Sequence, residues 1–128
     1  MTAQRSGNVL YLSGHVCRRD GAVVTGKLGD TIDSDEGYRL ARATAIDLLA
    51  TARAALGSLS PLTRVVKLTG FVNCVPGFTE QSKVINGASD LFVEVFGEER
   101  GKHARSAVGV AELPLGAAVE IEAIFEVG

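Results

Sequence analysis

Two strand-like patterns, separated by a proline and a glycine, fill the last fifth of the chain. Over residues 105–112 small and larger side chains alternate, so one face of a strand would carry Arg105 beside a row of Ala and Gly. Pro114 and Gly116 then interrupt the pattern, because Pro lacks the N–H that a sheet requires and Gly permits a turn. Over residues 119–127 the alternation resumes, with apolar residues on one face and mostly Glu on the other. The two patterns predict a hairpin or a tight pair of strands.

Arg105 in this setting predicts a pocket for a small anion. The small neighbours leave volume beside the guanidinium, and a guanidinium can bind a carboxylate through two parallel hydrogen bonds. The same pattern also fits an ordinary exposed Arg on a half-solvated sheet. Glu120, Glu122 and Glu126 are likewise typical of a wetted strand face. Residue types alone leave these alternatives open.

The first half of the chain predicts strands followed by a long helix. A strand over residues 9–16 precedes an Asp20-Gly21 turn signal and a short returning strand. Apolar residues then recur at helical spacing over residues 35–56. Asp33 and Glu36 stand at capping-box spacing before this helix, and Gly57 follows it. Alternation places Ser13 and His15 on one face of the first strand, where a Ser can simply hydrogen-bond the backbone.

The second half predicts a buried strand and a second helix. The strand over residues 63–75 is apolar on both faces, which favours an interior position in the sheet. Thr79 is a plausible N-cap for a helix that ends near Phe96 at Gly97, followed by a charged, solvated loop over residues 98–103. Gly87 inside this helix indicates tight packing, because Gly costs about 1 kcal/mol relative to Ala there.

This element order predicts one α+β domain over residues 1–128, with a mixed sheet and two helices packed on one face. A chain of 128 residues can bury roughly two-thirds of its unfolded surface in one core. The opposite sheet face, expected to carry the small residues of the last strands, would need cover. Assembly of several copies would provide that cover.

Charge and composition narrow the classes of function. A net charge of −2 and a pI near 5.7 give no basic footprint for nucleic acid or an anionic membrane. No run approaches the roughly 18 apolar residues of a membrane helix, and no apolar signal segment opens the chain, so we expect a cytoplasmic protein. Cys17 and Cys74 lack CxxC spacing and are expected to be reduced thiols. His15 and His103 are too few to predict a metal set.

The run over residues 105–114, followed by residues 119–123, forms a long C-terminal pattern. This pattern is similar to the C-terminal signature of the Rid family of reactive intermediate deaminases, also called YjgF or L-PSP proteins. Residues 12–14, residues 65–72 and Asn86 add to the similarity. The resemblance spans nearly the whole chain from Gly7 onward.

The resemblance implies a chorismate-mutase-like α+β subunit in a homotrimer with a barrel-like core and clefts between subunits. It implies hydrolytic deamination of 2-imino or 2-enamino acids to 2-oxo acids and ammonia, without a metal or organic cofactor. In this reading Arg105 binds the substrate carboxylate and Glu120 handles the proton of the attacking water. The two groups are expected to meet across neighbouring strands in a cavity that a second subunit closes. Ser13, Asn86 and Ala107 would contact the substrate.

The chain departs from the Rid pattern at two places. Many Rid proteins carry a Cys where this chain has Ala107, and the cleft-lining Tyr ahead of the first strands is missing, since Tyr11 is out of register. The chain is therefore similar to a divergent subgroup.

The sequence also leaves two other functions open. One alternative is a non-catalytic trimer that binds small carboxylates or acts as a chaperone. Another, less favoured, is an endoribonuclease, because no basic groove or suitable His pair is evident.

Overall fold

Two long helices cover one face of a five-stranded sheet. The computed structural model describes residues 1–128. The strands and helices, in chain order, are β1 (Ala3–Ser6), β2 (Val9–Val16), β3 (Arg18–Arg19), β4 (Ala22–Val23), α1 (Ser34–Leu56), β5 (Leu62–Asn73), α2 (Gln81–Gly101), β6 (Ala104–Val110) and β7 (Val119–Val127), with a single 3-10 turn at Pro114–Gly116. The strand order in the sheet is β1-β2-β7-β5-β6, and β3 pairs with β4 in a separate ribbon.

The core lies between the sheet and the helices. Every second residue of β7, from Val119 to Val127, is buried, as its period of two predicts. Phe125 of β7 meets Phe92 of α2 edge to face, with 5.7 Å between ring centroids, and both side chains are fully buried. The predicted α+β class, with a mixed sheet and both helices on one face, is confirmed.

Strand β5 is interior, as predicted, and it separates the two C-terminal strands. It pairs antiparallel with β7 and parallel with β6. The predicted hairpin between β6 and β7 is therefore wrong. Alternation indicates a strand but not its partner. Helix α2 returns the chain to the starting end of β5, so the following strand β6 runs parallel to it as in a βαβ unit.

The two helices approach each other closely at Gly87. A Cβ atom built on Gly87 would lie 2.0 Å from the carbonyl oxygen of Tyr38 in α1. No side chain larger than hydrogen fits there without a shift of backbone. The tight packing predicted from this glycine is confirmed.

Local signals set both ends of α1. Asp33 is the N-cap of α1, its side chain accepts a hydrogen bond from the Glu36 N–H at 2.8 Å, and Gly57 ends the helix in the left-handed conformation. The predicted start of α2 at Thr79 is wrong, because the helix begins at Gln81 and has no side-chain cap. Gly97, the predicted C-cap, breaks α2 with a left-handed φ of 85°, and a short helical segment then continues to Gly101.

Two short elements near the N-terminus complete the fold. Asp20 and Gly21 both have positive φ and join β3 to β4, as the turn signal predicts. Strand β1 was not evident in the sequence, because it is short and largely exposed. None of the helices combines the length and apolar character of a membrane span.

Candidate functional site

Arg105 lies on β6, at one edge of the sheet, and its side chain runs along α2. Nη1 donates to Ser89 Oγ at 3.1 Å, and Nη2 donates to the carbonyl oxygen of Ser82 at 3.3 Å. The face of β6 that carries Arg105 therefore turns toward α2. The small residues on that face do not lie on the open side of the sheet, where the sequence pattern had placed them. Ala107 packs partly against the core instead.

The guanidinium retains donors for a ligand. It has five N–H groups, and the two contacts with α2 use two of them, which leaves three. Arg105 takes part in none of the ion pairs of the chain. Its positive charge is thus available to a carboxylate, which needs two N–H groups for a bidentate contact.

A polar groove of about 280 Å³ opens beside Arg105. It is lined by Asn86, Ser89, Asp90, Val93, Lys102, His103 and Arg105. The groove brings together Asn86 and Arg105, two of the predicted site residues. Asp90 is already engaged, because its carboxylate accepts the Tyr38 hydroxyl at 2.7 Å.

Glu120 lies on β7 and faces the side of the sheet away from the helices. Its neighbours Val119 and Ile121 are fully buried under the helices, so the alternation turns Glu120 the other way. The carboxylate lies over Gly14 of β2, where an added Cβ would come within 2.2 Å of Glu120 Oε2. Gly14 therefore provides the space that the carboxylate occupies.

A larger cavity of about 690 Å³ opens at this part of the sheet. Its lining includes Glu120, Gly14, His15, Arg18, Asp47 and Thr51. His15 Nε2 lies 2.7 Å from Thr51 Oγ1 of α1. The outer side of β2 is paired only as far as Ser13, whose N–H donates to the Thr2 carbonyl oxygen at 3.0 Å, so residues 14–16 form a free edge here.

A bulge in β2 shapes this edge. The pairing with β7 shifts between Leu12 and His15, which turns His15 toward α1. Ser13 is exposed, and its hydroxyl donates to the Met1 carbonyl oxygen at 2.7 Å. The interpretation that Ser13 and His15 share one face is therefore wrong, because the alternation was counted without the extra residue.

The structure does not bring Arg105 and Glu120 together within one chain. Arg105 pairs in register with Leu68 of β5, and Glu120 pairs with Phe71 of the same strand but from the other side. One side chain points to the helix face and the other to the open face. The expected meeting across neighbouring strands is wrong for a single chain, since β5 lies between them.

Sequence reasoning missed the surroundings of Arg105. The segment over residues 98–103 was expected to be a solvated loop, but α2 extends to Gly101 and His103 is half-buried. His103 Nε2 lies 2.9 Å from Ser89 Oγ, directly beside the guanidinium. In the sequence, the only hint was the presence of Ser89 and His103, and their proximity in space depends on where α2 ends. No group of three or more His, Cys, Asp or Glu side chains is placed to hold a metal ion.

The fold is that of an α+β protein with two helices on one face of a mixed sheet. A family model described as Endoribonuclease L-PSP matches residues 1–127, and the chain therefore belongs to the YjgF/L-PSP family. The family resemblance read from the sequence is confirmed.

Three known proteins show the range of similarity. The chain is 54% identical over 122 residues to Protein TCP17 of Trypanosoma cruzi, covering 94% of this chain and 76% of that protein. The crystal structure of Atu1372, a protein of unknown function from Agrobacterium tumefaciens, is 49% identical with a TM-score of 0.95, covering 99% of this chain and 82% of that one. E. coli TdcF, crystallised with bound serine, shares the fold at 21% identity and a TM-score of 0.66, covering 99% of this chain and 87% of that one.

Proposed function

We propose that the protein hydrolyses reactive 2-imino and 2-enamino acids to 2-oxo acids and ammonia, in clefts that two subunits of a homotrimer share. The observation that carries the proposal is the Arg105 guanidinium, which is free of ion pairs and lies beside an open polar groove with Asn86. The resemblance of residues 105–114 and 119–123 to the Rid signature implies this class of reaction.

The positions of Arg105 and Glu120 favour a head-to-tail assembly. Strand β6 is one outer strand of the sheet, and the free part of β2 beside Glu120 lies near the other. If the β6 edge of one subunit meets the Gly14 edge of the next, Arg105 and Glu120 of the partner subunit face one cleft. A contact between two different edges is heterologous, and such contacts close into rings when the rotation allows. The family resemblance implies a ring of three.

The open face of the sheet offers apolar surface for the same assembly. Tyr11 and Val108 are 47% and 43% exposed on this face. Tyr11 lies beside Ile124, and Val108 lies beside Phe71. Neighbouring apolar residues on an uncovered sheet face are typical of a surface that another copy covers. A barrel-like centre of three such faces would bury them.

The reaction needs a held substrate and one proton carrier. Arg105 binds the carboxylate and thereby fixes the adjacent imine carbon. Glu120 of the partner subunit accepts a proton from a water as the water oxygen bonds to that carbon, and the proton passes to the imine nitrogen. This gives a carbinolamine, and Glu120 then takes the proton of its hydroxyl group and passes it to the amino nitrogen. The carbon–nitrogen bond breaks, ammonia leaves, and the carbonyl of the 2-oxo acid forms. Asn86, Ser13 and the backbone around Ala107 would complete the binding contacts.

A test is to generate a 2-imino acid in place with an amino-acid oxidase and to follow its decay by chemical trapping. We expect wild-type protein to accelerate the decay, and both Arg105→Gln and Glu120→Gln to lose the acceleration. Arg53→Gln and Glu99→Gln are the matched controls, because each removes the same charge as one of these variants but from an exposed helix position. No acceleration over several imines, or full activity in Arg105→Gln, would overturn the proposal.

The same variants separate an enzyme from a binding protein. A trimer that only captured carboxylates would need Arg105 but would gain nothing from an adjacent anion. Binding of a 2-oxo acid should then be lost in Arg105→Gln and retained in Glu120→Gln. If wild type binds the acid yet never speeds imine decay, the non-catalytic alternative is the better one.

A further inference from the structure

Ser89 and His103 form a hydrogen-bonded pair directly behind the Arg105 guanidinium. His103 Nδ1 lies 2.7 Å from the carbonyl oxygen of Gly101, and a carbonyl can only accept, so Nδ1 carries the proton. In the neutral ring Nε2 is then an acceptor. Ser89 Oγ, 2.9 Å away, must donate its proton to Nε2.

These contacts run in one direction. Arg105 donates to Ser89 Oγ at 3.1 Å, Ser89 donates to His103, and His103 donates to Gly101. Because the Ser89 proton is committed to the imidazole, its lone pairs are left to face the guanidinium. Arg105 therefore meets an acceptor of fixed orientation.

The imidazole is itself held in place and kept neutral. Its ring packs edge to face on Phe92, with 5.9 Å between centroids. Burial lowers the pKa of His103 and the nearby Arg105 charge lowers it further, against the opposing effect of the hydrogen bond to Gly101. The other charged side chains that line the groove are Asp90 and Lys102, which already pair with Tyr38 and Glu98.

We propose that Ser89 and His103 are positioning residues, which hold the Arg105 guanidinium in the orientation that receives the substrate carboxylate. The proposal rests on the function proposed above, since it assigns the carboxylate contact to Arg105. An Arg side chain carries about 2 kcal/mol of rotamer entropy, so ordering it before binding improves affinity. Two bonds to α2, one through Ser89 and one through the Ser82 backbone, provide that order.

Kinetics of imine hydrolysis test the pair. We expect Ser89→Ala to raise KM about tenfold and to change kcat by less than about threefold, because an ordering contact that acts on binding alone moves KM. Ser89→Thr retains the hydroxyl, so its KM should stay close to that of the wild type. His103→Gln retains an acceptor toward Ser89 and should be milder than His103→Leu. Ser82→Ala is the matched control, because only the backbone carbonyl of Ser82 contacts Arg105.

A measurement without substrate separates this proposal from the proposed function. The ¹⁵N relaxation of the Arg105 side-chain N–H reports its order, which should be high in wild type and Ser82→Ala and low in Ser89→Ala. Unchanged order and unchanged KM in Ser89→Ala would overturn the positioning role. If wild type hydrolyses no imine and yet Ser89→Ala loosens Arg105, the proposed reaction fails while the Ser89–His103 support of the guanidinium stands.

Discussion

Arg105 and Glu120 lie on opposite faces of one sheet, Arg105 on the edge strand β6 and Glu120 on the central strand β7. A guanidinium that binds a carboxylate and a carboxylate that moves a proton must both reach one substrate. Within a single chain they cannot do so. Under the proposed function, catalysis therefore requires assembly, with Arg105 from one subunit and Glu120 from another in each cleft.

Gly14 should matter for activity more than for stability. A Cβ there would come within 2.2 Å of Glu120 Oε2, and the far end of a Glu side chain can swing away at little cost. We expect Gly14→Ala to change the free energy of unfolding by less than about 1 kcal/mol, since surface substitutions rarely cost more. Imine hydrolysis should fall at least tenfold, because the carboxylate is displaced. Urea denaturation and the coupled oxidase assay measure the two effects.

Gly87 should matter for stability. Gly87→Ala would place a methyl group 2.0 Å from the Tyr38 carbonyl oxygen, so α1 and α2 would have to separate. Ala gains about 1 kcal/mol of helix propensity, but overpacking against backbone costs about 3 kcal/mol or more. We expect a net loss of about 2 kcal/mol by urea denaturation. Ser82→Ala, exposed on the same helix, should stay within about 0.5 kcal/mol of wild type, and a neutral or stabilising Gly87→Ala would contradict the observed packing.

Glu36 should give the protein a stability that depends on pH. Its carboxylate pairs with Arg19 of β3 and with Arg39 of α1, and the hydrogen bond from Arg19 lowers the pKa of Glu36 most. A lowered pKa in the folded state stabilises the protein above the ordinary Glu pKa of about 4.3, and this contribution disappears as pH falls through the folded value. Glu36→Gln should cost about 0.5–1 kcal/mol at pH 7 and nearly nothing near pH 2. Urea denaturation of both proteins across that range is the check, and a constant difference would refute it.

The sequence predicted what local chemistry decides. Asp33 and Gly57 mark the ends of α1 through their own side-chain and backbone preferences, and both assignments hold. Gly87 signalled a close helix contact because Gly destabilises a helix interior unless tight packing or another local need requires it, and the contact with Tyr38 bears this out. The alternation of β7 separated buried from outward residues correctly.

Strand partners were not predictable in the same way. The nearness of β6 and β7 in the chain suggested a hairpin, whereas the crossover through α2 places β5 between them. One extra residue in β2 was enough to reverse the face of His15 relative to Ser13. The Ser89–His103 pair stayed hidden because it depends on a helix that continues past Gly97. Each of these features is decided by tertiary pairing, which periodicity does not encode.

Mixing wild type with a chain that lacks both residues tests whether two subunits share each cleft. Wild type is co-assembled at equal amounts with the double variant Arg105→Gln/Glu120→Gln, by co-refolding of differently tagged chains. In a head-to-tail ring, about one quarter of the clefts receive both residues intact, because the two neighbours assort independently. If each chain formed its own site, about one half of the activity would remain. Wild type mixed with itself by the same protocol is the control.

The most direct test of the account is complementation between two inactive variants. Arg105→Gln and Glu120→Gln chains, each purified and inactive in imine hydrolysis, are co-assembled at equal amounts. We predict recovery of about one quarter of the wild-type activity, since that share of clefts pairs an intact Arg105 with an intact Glu120 of the partner subunit. Mixed trimers that form but remain as inactive as their parents would contradict it.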